Sequence, residues 1–309
     1  NIFAGTREGG VYLSTNNGTS WTEVNNGLTN RNINALTVSG TNIFAGTNDG
    51  VFLSTNNGTS WQYVALRSRI VYALAANGTN ISAGTNYGVF LSTNNGTNWR
   101  LVGLTNKNVR ASAILGTNIF VGTEDDGVFL STNNGTSWTQ VGLAYMSVYA
   151  LVFSGTNIFA GTYYGYVFLS TDNGTSWIPV NNGLPNKDIN TLVVTGTNIF
   201  AGTYGGGVFL STNNGASWTA VNEGFQLNLW ITAFAISGKN IFAGAGYSDV
   251  WRRPLSEMIT SVEPLSVMPS DFSLEQNYPN PFNPTTKISW QSPISSWQTL
   301  KIYDMLGNE

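Results

Sequence analysis

Short apolar runs of strand length recur along this chain at a nearly fixed interval. Over residues 33–64 they read Ile33-Asn34-Ala35-Leu36-Thr37-Val38, Asn42-Ile43-Phe44-Ala45-Gly46-Thr47, Val51-Phe52-Leu53-Ser54 and Trp61-Gln62-Tyr63-Val64. Apolar positions alternate with small or polar ones, which is the period of a strand and not of a helix. Turn residues separate the runs: Ser39-Gly40-Thr41, then Asn48-Asp49-Gly50, then an eight-residue corner that ends at Trp61. The unit therefore predicts four strands, A to D, joined by tight connections.

The corner between strands C and D is the most constant part of the unit. Its first copy is Ser14-Thr15-Asn16-Asn17-Gly18-Thr19-Ser20-Trp21, and further copies begin at Ser54, Ser92, Ser131, Ser170 and Ser211. The starts lie 40, 38, 39, 39 and 41 residues apart, a period of the size that marks repeat architectures. Asn-Gly between two apolar runs is a strong turn signal, because Gly takes positive φ freely and Asn tolerates it. The Ser hydroxyl and the first Asn can bond to amides inside the turn, and the closing Trp offers a large apolar face.

Four short strands per unit predict a propeller blade. The strand B motif begins at Asn1, Asn42, Asn80, Asn118, Asn157, Asn198 and Asn240, which gives seven blades. Blade one lacks its strand A, which would lie before Asn1. Because residue 1 falls inside a repeat, the chain is expected to be a fragment or a processed product. Blade seven, about Leu229 to Pro254, has no corner, and Met258-Ile259-Thr260-Ser261-Val262 is expected to supply its fourth strand.

The corner resembles the Asp-box, or BNR repeat, of sialidase-like and related β-propellers, Ser-x-Asp-x-Gly-x-Thr-Trp. Ser14, Asn16, Gly18 and Trp21 stand at its positions, as do Ser170, Asp172, Gly174 and Trp177. One departure is systematic. Asn16, Asn56, Asn94, Asn133 and Asn213 replace the family's acid, and only Asp172 keeps it. The resemblance implies a structural turn, and the missing carboxylates make the corners poor sites for a hard cation.

After about residue 256 the repeat stops. A stretch with Pro264 and Pro269 reads as a linker over 257–270, and 271–309 carries Asn277-Tyr278-Pro279-Asn280-Pro281-Phe282-Asn283-Pro284. That run resembles the C-terminal sorting domain of cargo of the bacterial type IX secretion system. The resemblance implies a partial Ig-like β-sandwich, contact with the secretion machinery, and a secreted or outer-membrane-surface location on a Gram-negative bacterium. The expected fold class is thus all-β: a seven-bladed β-propeller of four-stranded blades over 1–256, then the linker and an incomplete sorting domain.

Composition narrows the chemistry. Only 9% of residues are charged, the net charge is −3 and the pI is near 5.0, which gives no basic footprint for nucleic acid. Cysteine and histidine are both absent, so there are no disulfides, no thiolate sites and none of the commonest general base. No apolar run approaches the roughly 20 residues that span a membrane. No cofactor or metal is expected.

Comparing the repeats with one another locates the variation. The A–B turns and the C–D corners barely change, whereas the B–C and D–A loops change freely. In a propeller these two sets lie on opposite faces, so specificity is expected on the B–C/D–A face. That face carries Tyr87, Tyr163, Tyr164, Tyr166, Tyr204 and Tyr247, which can stack on sugar rings or pack on a protein, or can simply cover the channel mouth. Glu124, Asp125 and Asp126 form the acidic cluster there. A glycosidase needs two carboxylates facing each other across about 5 to 10 Å, which adjacent residues do not provide by themselves. The arginines sit in no recognisable sialidase-like motif. The leading expectation is a non-enzymatic binding or adhesion module for an extracellular glycan or protein. The alternatives are a self-associating structural subunit, through the open edge of blade one, and a glycoside hydrolase.

Overall fold

The computed structural model describes residues 1–224, 229–246 and 249–259, together with two dipeptide strands at Ser273–Leu274 and Trp290–Gln291. The chain divides into a unit Asn1–Ile259 and a second unit Thr260–Glu309. The Tyr247 position, the linker from Thr260 onward and most of the sorting-domain stretch lie outside the described residues, while 257–259 of the expected linker belong to the first unit.

The first unit is a seven-bladed β-propeller. Blades two to six are four-stranded antiparallel sheets in the order A-B-C-D, with inner strands Ile33–Ser39, Val71–Asn77, Val109–Leu115, Val148–Ser154 and Ile189–Thr195. Blade one has three strands, Ile2–Thr6, Gly10–Ser14 and Thr22–Glu23, and no strand A. Blade seven also has three, Ile231–Ser237, Asn240–Ala245 and Asp249–Pro254. Of the fourth strand expected there over Met258–Val262, the residues from Thr260 lie outside the described residues, and Met258 itself is not in a strand. Leu255–Met258 is instead one turn of helix, whose Met258 turns into the core between blades six and seven. Pro254 ends the strand by removing a ladder donor, and the chain folds back over the blade.

Each corner is pinned in the same way. Ser131 Oγ donates to Asn133 Oδ1 at 3.0 Å and accepts the Gly135 N–H at 2.8 Å, and Asn133 Oδ1 accepts the Ser137 N–H at 2.9 Å. The serine is buried, so these bonds satisfy groups that water does not reach. Asn134 and Gly135 both hold positive φ, 53° and 80°, as a primed hairpin turn demands. Asparagine serves as well as aspartate because only one oxygen takes part in these bonds. The remaining contact reverses its polarity: Asn133 Nδ2 donates to Ser137 Oγ at 2.9 Å, whereas Ser176 Oγ donates to Asp172 Oδ2 at 2.6 Å.

The Ser176 hydroxyl, then its amide, then the Ser170 hydroxyl hold the Asp172 carboxyl below the usual carboxylate range. A lowered folded-state value contributes stability that is present above the unfolded-state value and is lost as pH falls through the folded one. Asp172→Asn should therefore leave the melting temperature at neutral pH close to wild type and reduce the drop between pH 5 and pH 3. Melting curves at both pH values check this, and an unchanged acid-side drop would show that the corner contributes nothing to it.

Between blades, one contact recurs. In blades one to six the glycine of strand B faces the first residue of the next blade's strand A. A Cβ on Gly46 would lie 2.7 Å from Val71 Cγ1, one on Gly84 2.7 Å from Val109 Cγ1, and one on Gly161 2.6 Å from Ile189 Cγ2. Glycine lets the blades approach, and the β-branched residue fills the space. The corner tryptophans reach backward: Trp61 Nε1 donates to Val24 O at 2.7 Å, Trp138 to Val102 O at 2.8 Å and Trp218 to Val180 O at 2.7 Å. Apolar cores lie between consecutive blades from one to seven.

The seam between blades seven and one closes differently. Gly18 packs under Phe242, just as Gly96 packs under Phe44 elsewhere, and Arg252 Nη1 donates to Asn17 O at 2.7 Å. The ring is thus closed at its outer radius, although among the described residues no strand crosses the seam.

Candidate functional site

Hydrogen bonds place the loops on two faces. Asn95 N–H donates to Thr79 O at 2.9 Å and Asn134 N–H to Thr117 O at 3.3 Å, which sets corners and A–B turns together. On the other face, Asp49 Oδ1 accepts the Ser68 N–H at 2.6 Å and Asp188 Oδ1 accepts the Tyr164 N–H at 2.9 Å, which ties B–C loops to D–A loops. The Gly127 N–H reaches Met146 O at 3.0 Å, and the Tyr204 N–H reaches Asp188 O at 2.9 Å. The variable loops are therefore laced into one surface.

The exposed aromatic residues concentrate there. Among the described residues, the aromatic side chains exposed beyond about a third are Tyr145, Tyr163, Tyr164, Tyr166, Tyr204 and Trp230. Every one belongs to a B–C or D–A loop of the sector from blade four to blade seven. Tyr163 and Tyr164 meet edge to face at 4.6 Å between centroids, Tyr149 meets Tyr163 at 6.1 Å, and Tyr204 meets Trp230 at 4.7 Å. Tyr164 is 71% exposed at φ 72°, a left-handed conformation that a glycine would hold more cheaply. Tyr87 lies apart on blade three, half-buried beneath Arg69, whose guanidinium carbon is 4.2 Å from the ring centroid.

The acidic cluster is not free carboxylate. Glu124 takes Arg110 Nη2 on both oxygens at 3.0 Å and Asn108 Nδ2 at 2.7 Å, and its carbonyl accepts the Ser147 hydroxyl. Asp126 pairs with Lys107 at 2.7 Å, and Asp125 alone of the three is exposed. Glu124 and Asp126 are thus engaged in positioning neighbouring loops.

Sequence reasoning missed the centre of this surface. The second residue of each strand A, counted from its β-branched first residue, is Asn34, Tyr72, Arg110, Tyr149, Asn190 or Thr232. Arg110 lies over Tyr72 with its guanidinium carbon 3.9 Å from the ring centroid, and its buried Nε has no hydrogen-bond partner. Burial pushes the Tyr149 hydroxyl up, while Arg110 nearby pulls it down and Glu124, Tyr163 and Asp188 push it up. Tyr72, Arg110, Glu124, Tyr149 and Tyr163 thus form one connected group. The signal was available: in the aligned repeats this position alone of strand A alternates between Asn, Tyr, Arg and Thr. A separate concavity, lined by Glu223, Gly224, Trp251, Arg252, Arg253 and Glu257, lies beside the outer strand of blade seven.

No protein-family model matches the chain, and no curated protein matches it. Solved propellers do. The GH74 xyloglucanase from Xanthomonas campestris superposes with a TM-score of 0.68 at 15% identity, covering 82% of this chain and 50% of that one. The extracellular domain of a one component system from B. thetaiotaomicron gives 0.65 at 17%, covering 81% and 37%. YCF48 bound to D1 peptide gives 0.57 at 14%, covering 69% and 74%. At these identities the likeness concerns the fold. This chain spans half or less of the first two proteins, and the neighbours include both enzymes and non-enzymatic propellers.

Proposed function

We propose that this chain is a secreted or surface-displayed, non-enzymatic binding propeller that engages an extracellular glycan through the aromatic surface of blades four to seven. The observation that carries the reading is the confinement of the exposed aromatic residues, among the described residues, to that sector of one face. Exposed tyrosines held edge to face present apolar rings and hydroxyls, which suits sugar stacking combined with hydrogen bonding. The rings are fixed by their neighbours and by laced loop backbones, so little ordering is needed on binding. The names of two structural neighbours, a xyloglucanase and a peptide complex, support a binding role for propellers of this shape. The Asn277–Pro284 run supports export by a type IX machinery, and the corner resembles the Asp-box in a scaffolding role.

A glycan array and polysaccharide binding assay on the full chain tests the reading. Tyr163→Ala and Tyr204→Ala are each expected to weaken the selected glycan at least tenfold with an unchanged melting temperature. Unaltered affinity in both variants would rule out this surface. Binding to a protein and to no glycan would move the partner class. Turnover of a bound glycan, abolished by Asp125→Ala or Asp126→Ala, would replace the reading with a glycoside hydrolase.

A further inference from the structure

The chain contains nine Asn-Gly steps. Asn-Gly is the dipeptide most prone to succinimide formation, because glycine has no side chain to shield its amide nitrogen. The fold treats the nine differently. Six lie in the corners, from Asn17-Gly18 to Asn214-Gly215. There the glycine N–H donates to the corner serine Oγ, at 2.8 Å in five copies and 2.9 Å at Gly96. The corner glycines are buried, apart from the half-buried Gly18, and their asparagines are fixed at φ between 53° and 59°. Asn26-Gly27 and Asn182-Gly183 are built otherwise. Each is the centre of a tight turn after strand D, closed by Leu28 N–H on Asn25 O or by Leu184 N–H on Asn181 O, both at 2.9 Å. Gly27 at φ 82° and Gly183 at φ 92° hold the third place, where a type II turn wants glycine. Both asparagines and both glycines are exposed. Among the described residues, neither glycine N–H and neither asparagine side chain has a hydrogen bond. The remaining step, Asn77-Gly78, ends a strand. Asn77 pairs with Asn80, and its Nδ2 donates to Ile114 O at 3.4 Å.

We propose that Asn26 and Asn182 are sites of spontaneous deamidation, and that the corner serines suppress the same reaction at the six corners. In the open turn the Gly27 nitrogen loses its proton to hydroxide and attacks Asn26 Cγ. The new N–Cγ bond closes a five-membered succinimide, and the Cγ–Nδ2 bond breaks to release ammonia. Water then opens the ring at either carbonyl, leaving aspartate or isoaspartate. The balance is amide plus water to acid plus ammonia, with no oxidant or reductant. In a corner the glycine N–H is held on serine, hydroxide does not reach the buried amide, and the pinned backbone keeps the nitrogen from swinging toward the side chain. The position of the open turns gives the reaction a structural consequence. Asn26 O accepts the Trp61 N–H and Asn182 O the Trp218 N–H, both at 2.8 Å, and the two glycines lie against the carbonyls of the same tryptophans. Isoaspartate adds one carbon to the main chain there, and so displaces the bond that ties each turn to the next blade's corner.

Mass-spectrometric peptide mapping of the full folded chain, aged at 37 °C and pH 8.5, reads all nine steps in one sample. Asn26 and Asn182 are expected to convert at least tenfold faster than every corner asparagine, with Asn77 slower than both. In urea the contrast should vanish, since the nine steps share one dipeptide. Ser131→Ala should speed conversion at Asn134 at least tenfold while the other corners stay slow and so exclude global opening. The wild-type comparison decides the matter even where that variant folds poorly. Asn26→Gln combined with Asn182→Gln closes the ring far more slowly; it should melt like fresh wild type and keep the several degrees that aged wild type loses. Any corner converting as fast as Asn26, Asn77 converting first, or a contrast that persists in urea would overturn the proposal. An unchanged rate at Asn134 in a folded Ser131→Ala chain would remove the serine from it.

Discussion

Gly122→Val is expected to pry blade four from blade five. A Cβ at that position falls 2.6 Å from Val148 Cγ1 and 2.7 Å from Val148 O. The second contact is with backbone, so rotating a side chain does not relieve it. Either strand Asn118–Thr123, laddered on both sides, or strand Val148–Ser154, laddered to Asn157–Thr162, must shift. Overpacking of this kind costs about 3 kcal/mol or more, the upper end of what core insertions produce. For a domain of this size that is a fall in melting temperature on the order of 10 °C. The same substitution at Gly244 meets no such obstacle, so the pair separates interface clash from β-propensity. Equal melting temperatures for the two variants would disprove the glycine-to-β-branched contact as the spacing element of the ring.

Trp218→Ala is expected to produce the other large loss. Trp218 is 4% exposed and belongs to the core shared by blades five and six, while its indole N–H donates to Val180 O at 2.7 Å. Truncation of a buried tryptophan costs about 3–5 kcal/mol through lost burial and the cavity left behind. It also strips the Val180 carbonyl of a partner, so Trp218→Phe, which keeps most of the ring, should lose only about 1 kcal/mol. Trp21 supplies an internal comparison. It is half-buried, and among the described residues the blade before it has no strand D and its indole N–H makes no such bond. Trp21→Ala should cost less than half as much. Urea unfolding of the three variants measures the difference, and a Trp21→Ala loss equal to that of Trp218→Ala would show that the backward reach of the indole is unimportant.

The blade was legible because its signals are local and copied. Alternation in Ile43 to Thr47 marks a strand, Asn57-Gly58 marks the turn, and the recurrence of both settles the architecture before any packing is known. The two faces were legible too, since variable and constant loops separate in the repeats. What was not legible depends on neighbours across a seam. Met258 looked like the start of a strand, but Pro254 and the core between blades six and seven turn it into a helix. Glu124 looked like one of three equal acids, yet a bulge between Val109 and Ala111 leaves Arg110 at the strand end beside it, where the two side chains pair at 3.0 Å. Tyr72, Arg110 and Tyr149 looked like strand interior, because one-dimensional alternation does not distinguish a residue that faces a core from one that faces a channel mouth.

The glycine facing a β-branched residue has a further consequence for how such a chain changes over generations. Since nearly the same chemical match is repeated from blade to blade, a recombination event that duplicates or deletes one unit creates no mismatched interface. Selection on blade number then acts through curvature alone: how far each wedge can open or close before a ring of one more or one fewer unit fails to meet itself. The loops on the variable face travel with their units, so the same event also reshuffles the recognition surface.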